Sequence, residues 1–261
     1  MKKILLGIIA CIAGVSTFAQ TEGVTTPLAT PKMNIVKFNL SAAGFGNYTM
    51  AYERVLNRKQ SVGLAFGYAP NQPLPFKSAL LNLFEGNAQA ESAINSTIFN
   101  TVNVTAEYRF YQEIKGAPFG VYGSTFIRYM HMQHEGTYSF NLSDGEHNPF
   151  ITTTFTGIGA GGMIGVQWNL GKNFALDWWI AGPYVGYLSG SSYGDDNRPV
   201  DDNDKIKLEQ DIEDIGNSIP GWNVDATVTD NPATGLGDVD AELKGAFYGI
   251  RFMGICLGYM F

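Results

Sequence analysis

Apolar and polar or small side chains alternate with period two through eight segments of this chain: residues 33–41, 47–56, 61–68, 101–111, 119–132, 153–169, 174–188 and 246–261. Successive side chains of a strand point to opposite faces, so each segment carries one apolar side. In the fourth, Val102, Val104, Ala106, Tyr108 and Phe110 share one face, and Asn103, Thr105, Glu107 and Arg109 share the other. A soluble half-buried sheet alternates in the same way, so the connections have to decide. Residues 57–60, 112–118 and 171–173 are short connections, whereas 69–100, 133–152 and 189–245 are long. Short and long turns take turns along outer-membrane barrels, with the long loops outside; 42–46 is the one short outer connection. The pattern predicts an all-β fold, a transmembrane antiparallel up-and-down barrel of eight strands with both termini periplasmic.

Two loop segments read as short helices. Leu208, Ile212, Ile215 and Ile219 fall at helical spacing, with Asp204 as N-cap and Pro220 beyond the end. Leu80, Leu81 and Phe84 make a weaker second case. Trp222, Val224, Ala226 and Val228 alternate as a strand. They either extend the sheet above the membrane or belong to a ten-stranded alternative.

The amino terminus reads as an export signal. Lys2 and Lys3 precede an apolar run over 4–15, and Thr17-Phe18-Ala19 is a small-x-small cleavage site. The expected organisation is a signal peptide over 1–19, a periplasmic segment over 20–32 and a barrel over 33–261. Ile8-Ile9-Ala10-Cys11 offers a lipidation box as a weaker alternative. Cys256 is then the one cysteine of the mature chain, so no internal disulfide can form. Beyond the signal no apolar run approaches the roughly 20 residues of a spanning helix. The 31 Gly, 13 Tyr and 17 Phe suit barrel walls and their aromatic girdles.

Net charge is −7 for the whole chain and −9 once Lys2 and Lys3 are removed. Fourteen of the 24 acidic residues lie between 191 and 244, against four Lys or Arg. That sign excludes nucleic acid as a partner. Asp195-Asp196, Asp201-Asp202, Asp204 and Asp238-Val239-Asp240 lack the spacing and glycine of an EF-hand loop, and a solvated, self-repelling loop accounts for them. Loose divalent bridging to lipopolysaccharide phosphates is the alternative for that run.

Sorting strands by face sends Lys37, Glu53, Glu107, Arg109, Arg128 and Asp177 into the lumen, three cations against three carboxylates. An eight-stranded barrel is just wide enough for its own side chains. Charges there persist only when paired. The expectation is a neutral ion-pair plug, with Arg109 near Asp177 and Glu53 toward the periplasmic end. Tyr129, Trp168, Trp178 and Tyr184 are candidates for the membrane girdle, and Arg251 alternates onto the lipid side near the outer interface. Pro183 should break a ladder bond and mark a bulge. Leu257, Tyr259 and the terminal Phe261 resemble the signal read by barrel-assembly machinery.

The three histidines, His131, His134 and His147, gather near one outer loop without a completing ligand set, so neither metal nor cofactor is expected. His131 with Ser124, Ser139 or Glu135 assembles no nucleophile elbow, and an enzyme is not expected.

These residues also carry a resemblance. Phe38-Asn39-Leu40, Asn47-Tyr48, Tyr52-Glu53-Arg54 and Leu74-Pro75-Phe76-Lys77-Ser78 begin it. Glu107-Tyr108-Arg109-Phe110-Tyr111, Arg128-Tyr129, Gln167-Trp168 and Leu176-Asp177-Trp178-Trp179-Ile180 continue it. Tyr248-Gly249-Ile250-Arg251, Gly258 and the terminal aromatic close it. The chain resembles small eight-stranded outer-membrane barrels of Bacteroidota known only as a domain of unknown function. The resemblance implies a surface barrel and brings no activity or ligand. Residues and resemblance together lead to a non-enzymatic outer-membrane protein with a filled lumen, in contact with outer-membrane lipid and lipopolysaccharide, whose outer loops are structural or bind an unspecified ligand. A narrow channel for small or apolar solutes is the second reading, and a lipid A-modifying enzyme the third.

Overall fold

The computed structural model of the protein describes residues 32–73, 77–83, 85, 91, 94–112, 117–138, 140–196, 198–217, 221–230 and 235–261. The expected signal peptide and nearly all of 20–32, together with Phe84, Ser139, Ile219 and Pro220, lie outside them. In chain order the elements are β1 (Asn34–Asn39), α1 (Leu40–Gly44), β2 (Tyr48–Asn57), β3 (Gln60–Pro73), α2 (Lys77–Leu83), β4 (Ile98–Tyr111), β5 (Gly120–Thr137), β6 (Phe140–Leu142) and β7 (Gly145–His147). They continue with β8 (Phe150–Asn169), β9 (Phe174–Asp195), α3 (Asp202–Asn217), β10 (Trp222–Asp230) and β11 (Gly237–Met260).

Eight strands in the order β1-β2-β3-β4-β5-β8-β9-β11 form an antiparallel ring, closed where Val36 pairs with Tyr259 and Phe38 with Leu257. Closing the ring satisfies the backbone of every wall strand against a neighbour. β10 pairs with residues 237–245 of β11, far above the reach of six-residue β1. It extends the sheet without entering the ring, and the ten-stranded alternative does not hold.

The wall is uneven in height. β2 has 10 residues, while β8, β9 and β11 have 20, 22 and 24. A tilted membrane strand needs about 9–11, so the tall side continues upward as a curved sheet. Above the low β1–β2 hairpin, residues 247–252 of β11 pair with β9 alone. Just below that notch, Asn39 caps α1 by accepting from the Ala42 amide at 2.9 Å. Ser41 Oγ then donates to the Met253 carbonyl at 3.1 Å and accepts from the Ile255 amide at 2.9 Å, finishing the β11 edge where β1 stops.

Two outward aromatic levels bracket the ring. Trp168 and Trp178 stack near the lower end, with ring centroids 6.4 Å apart. Tyr129 lies outward beside Ile158, ten residues up β8 from Trp168. Ten strand residues rising ~3.4 Å each, tilted by ~40°, cover about 25 Å, the height of an outward apolar band. Ile127 and Ile164 are exposed on the intervening wall. Tyr184, expected in the girdle, turns inward instead.

The cause of that turn is a paired irregularity in β9 and β11. Phe252 pairs with Ala181 and Gly254 with Trp179, leaving Ile180 and Met253 facing each other unbridged. Met253 takes a left-handed backbone, φ +48°. Toward β8 the register slips by one residue at the same level, between Ile164 and Gly165. One extra residue inverts the facing of everything beyond it. Below the bulge Asp177, Trp179 and Cys256 are buried inward; above it Gly182 and Arg251 are buried inward and Tyr184 packs against the inner core. The bulge therefore sits three residues before Pro183, which stays on the outer face opposite Ile250.

α3 explains much of the acidic segment. Glu209 accepts from the Val228 amide at 2.7 Å, Glu213 from Ala226 at 3.2 Å and Asn217 from Val224 at 2.9 Å. Four helical residues rise about 6 Å and two strand residues about 6.8 Å, so the two periods run in step. A stripe of helix side chains thus covers the free edge of β10 and blocks further pairing. Asp201, not Asp204, caps this helix, accepting from the Asn203 amide at 3.1 Å. Asp204 instead accepts from the Ser143 amide at 3.0 Å, tying the β6–β7 hairpin to α3. The hairpin is held a second time by His147, whose Nδ1 bonds Asp196 and whose Nε2 bonds Asp144 at 2.7 Å.

Two outcomes follow from these contacts. Replacing Glu209, Glu213 and Asn217 together by Ala should leave the ring folded and speed amide exchange at Val224, Ala226 and Val228 by about five- to tenfold, at about 1 kcal/mol per lost bond. Burial opposes charge on His147, but its hydrogen bonds to the Asp196 and Asp144 carboxylates, which accept, outweigh it and raise its pKa. A raised histidine pKa stabilises below the unfolded value of about 6.5 and loses that contribution as pH climbs through the folded value. Amide exchange over residues 140–147 should therefore accelerate between pH 6 and pH 9 more than in His147→Gln.

Candidate functional site

The interior of the ring is filled by a charged network. Five of the six luminal residues read from the sequence meet there: Lys37 from β1, Glu53 from β2, Glu107 and Arg109 from β4, and Asp177 from β9. Each is at most 8% exposed. They converge because they occupy inward positions of strands at neighbouring levels of one ring. Lys37 Nζ lies 2.5 Å from Glu53 Oε2 and 2.6 Å from Asp177 Oδ2. Arg109 Nη1 reaches Asp177 Oδ2 at 2.8 Å and Glu53 Oε2 at 3.4 Å, and its Nε reaches Glu107 Oε1 at 2.8 Å.

Neutral donors complete the set. Tyr122 donates to Asp177 Oδ1 at 2.7 Å, and the Trp179 indole donates to Oδ2 at 3.1 Å. Tyr111 and Ser61 donate to Glu53 Oε1 at 2.6 and 2.5 Å. Gln167 Oε1 accepts from Lys37 at 2.5 Å and from Arg109 at 3.3 Å. The Arg109 guanidinium lies 4.3 Å from the Tyr122 ring centroid. Burying such charges stabilises little by itself, but each carboxylate here has several donors, which is the condition under which buried ions persist.

Glycines give the aromatic members room. A Cβ on Gly165 would collide with the Tyr122 ring, and one on Gly254 would sit 2.7 Å from the Trp179 ring. Beside the network lies a void of about 10 Å³ lined by Lys37, Glu53, Thr105, Glu107, Arg109 and Trp179 among others. That is room for about one water.

Two cations depart from the expectation. Arg251, assigned to the lipid side, is buried inside, with Nη1 3.4 Å from Glu107 Oε2 and its guanidinium 4.9 and 4.3 Å from the Phe126 and Trp179 rings. The bulge at Met253 sends it there, so simple alternation counted from Phe261 gives the wrong face. Arg128 faces inward above the network but joins no ion pair among the described residues; it lies 5.9 Å from the Tyr184 ring, with Nε buried and unpartnered. The luminal set is thus four cations against three carboxylates, not the balanced six. Tyr111, Tyr122, Gln167 and Trp179 were legible from parity alone, since Tyr111 shares the face of Arg109 and Trp179 that of Asp177.

The histidines are kept apart. Residues three apart in a strand face opposite ways, and His131 bonds Thr156 on the outer side while His134 is buried inward against Thr97 and Tyr138. His147 is engaged with Asp196 and Asp144. Among the described residues no group of three His, Cys, Asp or Glu is placed to share a metal.

No protein-family model matches the chain. No curated protein matches it either. Among solved structures, it is similar to the translocator domain of the autotransporter NalP from Neisseria meningitidis, over all of this chain and 96% of that one, at 9% identity and TM-score 0.32. A likeness at this level adds nothing to the strand pairing, which defines the eight-membered ring directly.

The network makes a measurable demand. Arg109→Ala leaves Asp177 and Glu107 short of their shared counter-charge and should lower unfolding free energy by roughly 3–5 kcal/mol. Heat-dependent gel mobility of the refolded protein reads this; a midpoint equal to wild type removes the plug as a source of stability.

Proposed function

We propose that the protein is a non-enzymatic outer-membrane barrel that conducts no solutes and works at the cell surface through its upper extension. The observation that carries this reading is the lumen: seven charged side chains, their tyrosine, tryptophan and glutamine partners, and a residual void of about 10 Å³. A hydrated ion or sugar needs a continuous bore, and small barrels filled by side chains have none.

Membrane placement is supported by the ring, by the two aromatic levels and by the apolar wall between them. The outward Leu257, Tyr259 and Phe261, 39, 47 and 53% exposed, are where barrel-assembly machinery would read the last strand. On this reading the wall contacts outer-membrane lipid, and the upper sheet rises through lipopolysaccharide. The sequence resemblance to small Bacteroidota barrels agrees with the placement and supplies no ligand.

Liposomes carrying the refolded mature protein should stay tight to ions and small sugars, indistinguishable from empty liposomes in swelling and conductance. Steady conductance that changes ion selectivity in Arg109→Ala or Asp177→Asn overturns the closed-lumen reading and makes those residues selectivity residues.

A further inference from the structure

Above the plug, the tall wall and its attachments line a partly open cavity of about 420 Å³. β4, β5, β6, β8, β9, α3, β10 and β11 all contribute to its lining. Phe99, Ile151, Phe155, Ile212, Trp222 and Leu243 make most of its surface apolar. Protein interiors hold few voids larger than a water molecule, and an apolar cavity of about 150 Å³ already takes up benzene. This one falls within the size range of small-molecule sites, roughly 300–1,000 Å³.

Its polar groups are few and gathered on adjacent strands. His134 Nε2 lies 3.2 Å from the Tyr138 hydroxyl, and Thr153 Oγ1 lies 2.5 Å from Ser192 Oγ. Thr153 sits beside His134 in the β5–β8 pairing, and Ser192 beside Thr153 in the β8–β9 pairing. Burial outweighs the neighbouring Glu135 and lowers the His134 pKa, so the imidazole is neutral at pH 7. None of the fourteen lining residues then carries a charge. The segment around the cavity is rich in acids, fourteen against four Lys or Arg over 191–244. An anion entering would find no counter-charge among the lining residues.

We propose that this cavity binds a small, uncharged, lipophilic molecule bearing one hydrogen-bonding group, the chemistry of a medium-chain alcohol, with the His134–Tyr138 and Thr153–Ser192 cluster holding its polar end. The inference rests on the reading of the upper extension as the working surface of the protein.

The test uses full-length mature protein in lipid nanodiscs, with 1-decanol and decanoate as probes at pH 8 and tryptophan fluorescence as the readout. Trp222→Phe identifies the part of the signal that comes from the cavity wall. The expected result is a saturable change with decanol, absent from empty nanodiscs, at an apparent affinity at least tenfold above that for decanoate. Ala241→Phe fills the cavity and should weaken decanol at least tenfold; Ile212→Trp, on α3 outside the ring, fills it from the other side and carries the test if the barrel variant does not fold. No saturable signal, equal affinity for decanoate, or unchanged binding in the filled variants overturns the proposal. Tight liposomes with no decanol binding remove the cavity as a site and leave the closed lumen standing. Leaking liposomes remove the closed lumen whatever the decanol result.

Discussion

Asp177, fully buried, and the two cations that hold it organise the inside of this barrel. Lys37 at 2.6 Å and Arg109 at 2.8 Å share one of its oxygens, and Tyr122 takes the other. These four side chains come from β1, β4, β5 and β9, so the contacts run across the ring as well as around it. Backbone pairing alone sets which strands are neighbours. The network adds a condition on level, because a buried charge tolerates no unpaired slip. Register and lumen closure are two consequences of one interaction.

The bulge at Ile180 and Met253 serves that same network. Without it, Arg251 would project from the outer face and Glu107 would lose its second cation. With it, Arg251 stacks between Phe126 and Trp179 above the plug, and Tyr184 joins the inner wall beside Phe126 and Phe247. The lower part of the lumen is thereby charged and the level above it aromatic. Arg128 stands at this boundary as the excess cation.

Over the plug, the acidic segment divides into parts with separate physical work. Glu209 and Glu213 cover the edge of β10, while Asp196 and Asp204 anchor the β6–β7 hairpin. The apolar side of α3, through Leu208 and Ile212, packs against Val228 and Val239. Charge that looks like a solvated run in one dimension is, in the folded chain, the outer shell of a small apolar compartment.

By itself the sequence determined the ring. Period-two alternation, loop lengths and the terminal strand pointed to an eight-stranded barrel with a ten-stranded alternative left open, and face-sorting of Lys37, Glu53, Glu107, Arg109 and Asp177 needed only parity within uninterrupted strands. What lay beyond its reach came from one inserted residue in each of two strands and from contacts between distant segments. Parity cannot place Arg251 or Tyr184 when a bulge reverses it, since nothing local in Ile180 or Met253 announces a left-handed backbone. Nor can spacing along the chain show that Glu209, Glu213 and Asn217 meet a strand edge. Only the tertiary structure decided those points, because facing accumulates over a whole strand and one residue is enough to invert it.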